Sequence, residues 1–221
     1  MTTTAFEKNS TKVSGLFIGF IVAFLLVNGG DFLFIRIYKY FEKDLVPLIY
    51  MLIIFLSTIL TILYMLYQYR YFPIFIRNSL KESLMTSLGG IVLIWIVILF
   101  EALLYFGNRS NDPFIQHLIA FPSPKFYIGF VMMVFINPFF EETLMRGYFF
   151  EILNRRWSIL ISLLLTVSFS STMHYRVGIG VIHVILSNII FTFLYLNGGL
   201  VPSILAHAFV NYYSIYFLNL D

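Results

Sequence analysis

The chain has 221 residues, of which 60% are hydrophobic and only 11% charged, and its mean hydropathy is +0.88. Soluble globular domains carry about a quarter charged residues, so one soluble core cannot take up this much apolar surface and lipid must solvate the rest. The net charge of +3 comes without the basic cluster that nucleic acid requires, and the absence of Cys excludes disulfides and thiolate chemistry.

A bilayer-crossing helix needs about 20 apolar residues, and the chain offers a series of such runs. The first thirteen residues are polar and too poor in positive charge for a signal peptide. A first span then runs from Ser14, kinked or lengthened around Gly29, Gly30 and Asp31, to Ile37. A second extends from Leu45 to Tyr67. The connector with Arg70, Arg77, Lys81 and Glu82 reads as a partly interfacial helix, and a third span is expected from Ser87 to Phe106. Residues 108–125, with three prolines and Asn108, Asn111 and Asp112, form the clearest loop.

Beyond the loop, Phe126 opens a fourth span that continues through Glu141 and Glu142 to Arg156. Further spans are expected at Trp157–His174, Val177–Leu196 and Leu200–Leu218. The predicted fold is all-α: a polytopic transmembrane helix bundle of about seven spans, give or take one, with its site inside the bundle. It divides at residue 125 into N-terminal helices with their loop and a helical core over 126–221. With the N-terminus inside, inner segments hold seven Lys and Arg against six outside, which favours that orientation by a single charge.

The ionisable residues inside these spans carry the functional signal, because a charge near the bilayer centre costs at least about 2.5–3.5 kcal/mol and therefore faces partners or internal water. Glu141, Glu142 and Arg146 follow fifteen apolar or neutral residues on one continuing helix. Glu142 and Arg146, four apart, share a face and can form an ion pair. Glu141 points about 100° away, so one carboxylate can be paired while the other faces a cavity as a general base. His174 ends the fifth predicted span. His207 and Asn211, again four apart, share a face of the last. A His beside an Asn is the inventory of an oxyanion site, or of a metal ligand with a supporting amide. His117 and His183 fit no such pattern and are read as structural, and Asp31 and Glu101 as membrane-end charges.

Asn137–Arg146, NPFFEETLMR, resembles the P-x-x-E-E-x-x-x-R motif of the CPBP family, which comprises the type II CAAX prenyl endopeptidases and the bacterial bacteriocin-processing and immunity (Abi) proteins. Gly198–Asn211, GGLVPSILAHAFVN, resembles the family's His-x-x-x-Asn motif with its usual lead-in, and the separation of His174 from His207 is similar to that of the family's two histidines. The family places an aromatic residue four before the first His. Here Ser170 stands there, with Phe169 one position off.

The resemblance implies an integral membrane endopeptidase, in a bacterial cell membrane by the chain's Ile, Phe, Lys and Asn usage. Glu141 with His174 would activate water, His207 and Asn211 would stabilise the oxyanion, and Glu142 bridged to Arg146 would support the site. A competing account makes Glu141, His174 and His207 ligands of a divalent metal such as zinc. The partners implied are membrane lipid and a peptide or protein substrate, lipidated or a bacteriocin precursor. The Ser170 departure keeps a non-catalytic immunity protein as the alternative. A proton-coupled transporter using Glu141 is a third reading, against which the lack of a half-to-half repeat counts.

Overall fold

The computed structural model describes residues 46–69, 73–104, 129–173 and 179–216, with positions 18, 21 and 127 besides, and all regular structure among these residues is helical. The helices are α1 (Val46–Tyr69), α2 (Leu80–Leu104), α3 (132–154), α4 (Ile159–Met173), α5 (Ile179–Gly198) and α6 (Leu200–Tyr216). Within α3, π-helical Met132–Ile136 and Thr143–Phe150 alternate with α-helical Asn137–Glu142 and Glu151–Asn154. The first predicted span and the proline-rich loop lie outside the described residues.

These helices are apolar outside and polar inside. Leu52, Leu56, Leu60 and Leu63 form an exposed stripe on α1, while Ser57, Thr58 and Thr61 are buried. In α2, Leu84, Leu88 and Val92 are exposed and Ser83 and Ser87 buried; in α4, Leu160 and Leu164 are exposed and Ser162, Thr166 and Ser170 buried. Water would drive the opposite arrangement, so the environment must itself be apolar. Small hydroxyls suit the interior because they let helices approach closely and can bond backward to their own backbone, as Thr61 Oγ1 does to Ser57 O at 2.8 Å and Ser87 Oγ to Ser83 O at 2.7 Å. Among the described residues one helix, over Leu80–Phe100, is long and apolar enough by itself to cross a bilayer; the apolar parts of three others are shorter. Helices stand at six of the seven predicted positions.

Helix α3 is the centre of the packing. Its Leu144, Met145, Tyr148, Phe149, Ile152 and Leu153 enclose Met65 of α1, and Phe150 meets Tyr195 of α5 and Leu200 of α6. Ile94 and Ile98 of α2 pack on Phe191 and Leu194 of α5 and Ala206 of α6. Gly90 admits the Leu194 side chain, whose Cδ1 would lie 2.4 Å from an added Cβ.

The connector differs from its prediction. Residues 73–79 are not helical, and α2 starts at Leu80 rather than near Ser87. A capping box fixes that start: Ser79 N and Oγ both donate to Glu82 Oε2 at 2.9 Å, and Glu82 N donates to Ser79 Oγ at 3.3 Å. The freed segment clasps the junction of α5 and α6. Leu200 N and Val201 N, which lack helical acceptors at the start of α6, donate to Ile74 O and Phe75 O at 3.1 and 3.0 Å. At the end of α5, Gly198 O accepts from Arg77 N at 3.1 Å and Ser83 Oγ at 3.2 Å, and Asn197 O from Asn78 Nδ2 at 2.7 Å. The two helices are therefore joined by one residue, Gly199, at φ +89°. A side chain there would put its Cβ 2.6 Å from Phe75 O, so both conformation and space require glycine.

Candidate active site

Glu142 lies on α3 at the centre of the bundle with no exposed surface, and it is surrounded by donors. Its Oε1 accepts from Arg146 Nη1 at 2.9 Å and lies 2.8 Å from His207 Nδ1; its Oε2 accepts from Ser203 Oγ. A buried carboxylate beside a guanidinium is ionised and can only accept, so the shared proton belongs on Nδ1. That leaves Nε2 as the free atom of the imidazole. The His207 ring stacks on Phe191 with centroids 4.9 Å apart and planes at 13°, which fixes its rotation.

Arg146 is held as firmly. Its Nη2 donates to both Asn188 Oδ1, at 2.5 Å, and Asn188 O, at 3.1 Å, and its Cζ stands 5.3 Å from the centre of the Phe191 ring. Asn188 is itself anchored by Nδ2 to Val184 O at 2.8 Å. The ion pair predicted from the four-residue spacing is present, but two of its partners escaped sequence reasoning. Asn188 could have been found as a lone amide inside the apolar run VILSNIIF, and Ser203 as the residue one turn before His207.

Glu141 is placed differently from its neighbour. Its side chain is 27% exposed, against none for Glu142. Its Oε1 accepts from Asn137 Nδ2 at 2.6 Å, and its Oε2 faces His207 Nε2 at 3.6 Å. The last distance is too long for a hydrogen bond, so the two atoms face one another across a gap. His207 thus lies between the two carboxylates, bonded to the buried one and turned toward the accessible one.

Asn211 reaches the same region by way of a backbone defect. In the π-helical turn Met132–Ile136, Asn137 N bonds Met132 O rather than Met133 O. The next residue in that register is Pro138, which has no N–H to give. Met133 O is therefore without a helical donor, and Asn211 Nδ2 donates to it at 2.9 Å. The bond uses one amide hydrogen and leaves the other.

Glu141, Glu142, Arg146, His207 and Asn211 are thus gathered on α3 and α6, and His174 lies outside the described residues. Ser170 is buried on α4, and Phe169 beside it packs on Phe149 of α3 at 5.1 Å. His183 is buried on α5. Of the three metal ligands expected, Glu141 Oε2 and His207 Nε2 face one another and His174 lies outside the described residues; among the described residues no group of three or more His, Asp or Glu side chains could hold an ion.

Residues 123–213 match the family model described as Type II CAAX prenyl endopeptidase Rce1-like. That interval contains both carboxylates, Arg146, both expected histidines and Asn211. No curated protein and no solved structure matches the chain.

Proposed function

We propose that this chain, whose residues 123–213 match the Rce1-like type II CAAX prenyl endopeptidase model, is a multi-pass intramembrane endopeptidase whose base is Glu141. The observation that carries the reading is the asymmetry around His207: Glu142 binds its Nδ1 from behind, and Glu141 faces its Nε2 across 3.6 Å. A water that donates to both Glu141 Oε2 and His207 Nε2 is the nucleophile of the proposal.

The reaction then needs few movements. Glu141 takes a proton from the water as its oxygen adds to the scissile carbonyl carbon. The carbonyl oxygen becomes an oxyanion beside His207 that accepts from the second amide hydrogen of Asn211. As the carbon–nitrogen bond breaks, Glu141 returns the proton to the leaving amine, with His174 assigned to assist on the water side. Glu142 keeps the imidazole oriented, and Arg146 and Ser203 hold Glu142 in place. The exposed leucine surfaces and the segment Leu80–Phe100 support a membrane-embedded helical bundle. A lipid-modified peptide is the substrate class that the family supports.

A quenched fluorescent peptide ending in a farnesylated CAAX sequence, supplied to the purified protein in lipid nanodiscs, tests the reading. Wild type cleaves it, while Glu141→Gln and His207→Ala each lose at least about 100-fold in rate at unchanged yield and monodispersity. Full activity in Glu141→Gln would end the proposal. A wild-type protein that cleaves nothing yet protects cells from a peptide toxin would favour the immunity reading, to which Ser170 lends support.

A further inference from the structure

Glu141 has two carboxylate oxygens, and the chemistry above uses one of them. The other is occupied. Asn137, one helical turn earlier, donates from Nδ2 to Glu141 Oε1 at 2.6 Å. The two side chains meet because both lie on the α-helical stretch Asn137–Glu142, where residues four apart share a face. The backbone before Asn137 is π-helical, and its own N–H is committed to Met132 O. The change of helical type thus falls at the residue that bonds the carboxylate.

We infer that Asn137 is a positioning residue of the site: it binds Oε1 and so directs Oε2 at His207 Nε2. This rests on the assignment of Glu141 as base. An amide is suited to the task because it donates to a carboxylate without bringing a proton that the base could lose or a charge that would neutralise it. Among the described residues, the other charged or titratable group facing Glu141 is His207, on the side of Oε2. Without Asn137 the carboxylate can rotate away from that geometry.

The test separates orientation of the base from substrate binding. With the farnesylated peptide and protein in lipid nanodiscs, Asn137→Leu removes the bond to Oε1 and lowers kcat about tenfold, the size expected for loss of one hydrogen bond to a charged group, while KM stays at the wild-type value. Asn137→Asp, which matches Asn in shape but sets an acceptor where Nδ2 donates to Oε1 at 2.6 Å, lowers kcat further at the same KM.

Wild-type kcat in Asn137→Leu and Asn137→Asp, each eluting as a monodisperse species, overturns the inference, as does a loss confined to KM; should the Leu variant misfold, the Asp variant carries the test alone. Cleavage by Glu141→Gln would instead defeat the assignment of Glu141 as base, so the two failures are distinguishable.

Discussion

Helix α3 buries two carboxylates nine residues apart, Glu142 and Glu151, and the two are held in opposite ways. Around Glu142 every partner is enclosed, and both side chains of the pair with Arg146 are at most 1% exposed. Glu151, near the helix end, binds Arg77 at 3.0 Å, Arg155 at 3.1 Å and the Tyr195 hydroxyl at 2.8 Å, but its two arginines are 28% and 41% exposed. One set is sealed, so losing a member strands a charge. The other is partly exposed, where solvent can take over a lost partner. The same side chain therefore holds a histidine in the interior and ties down a connecting segment near the outside, and only the first use is coupled to the proposed chemistry.

The contrast can be broken most forcefully at Arg146. Arg146→Met leaves Glu142 buried and unpaired and should cost about 3–5 kcal/mol, read by SDS unfolding followed by circular dichroism, with activity lost as well. The double variant Glu142→Gln, Arg146→Met should recover much of that stability and none of the activity; recovery of both would mean that Glu142 does not hold His207 for the reaction.

Smaller effects are expected in the clasp. Gly199→Ala places a Cβ against the Phe75 carbonyl at a positive φ and should cost about 2 kcal/mol, visible as a lower melting temperature by tryptophan fluorescence. Glu151→Gln keeps an acceptor for Tyr195 and should cost about 1–2 kcal/mol while cleavage remains close to wild type. The smallest change in stability belongs to Glu141→Gln, less than about 0.5 kcal/mol by the same unfolding assay, although it removes activity. A large loss of stability there would assign Glu141 to the scaffold.

How much of this could be read from the chain differs between the two regions. The pairing of Glu142 with Arg146 was legible because a four-residue spacing on one helix is a local property, and the common face of His207 and Asn211 was legible for the same reason. That Glu142 also meets His207 was not, since it depends on how α6 is seated against α3. Asn188 and Ser203 were missed because an isolated amide or hydroxyl in an apolar run gives no sign of which distant charge it serves. The clasp shows the reverse failure. Ser79 and Glu82 spell a capping box in plain sequence, but the mixed charge of residues 70–82 suggested an interfacial helix and hid it. Its hydrogen bonds to Gly198, Leu200 and Val201 span more than a hundred residues of chain, a pairing that no local pattern encodes.

Pro138 has a consequence for how two helices find their register. Between lipid-solvated helices, apolar contact alone discriminates weakly among offsets, because lipid tails replace any contact that is lost. A carbonyl without a donor discriminates strongly. Sliding α6 along α3 by one residue, or turning it by one position, would take Asn211 away from Met133 O and leave that part-buried oxygen without its donor. The hydrogen that proline lacks thus works like the notch of a vernier scale: the two helices can align at one setting, and at that setting His207 stands opposite Glu141.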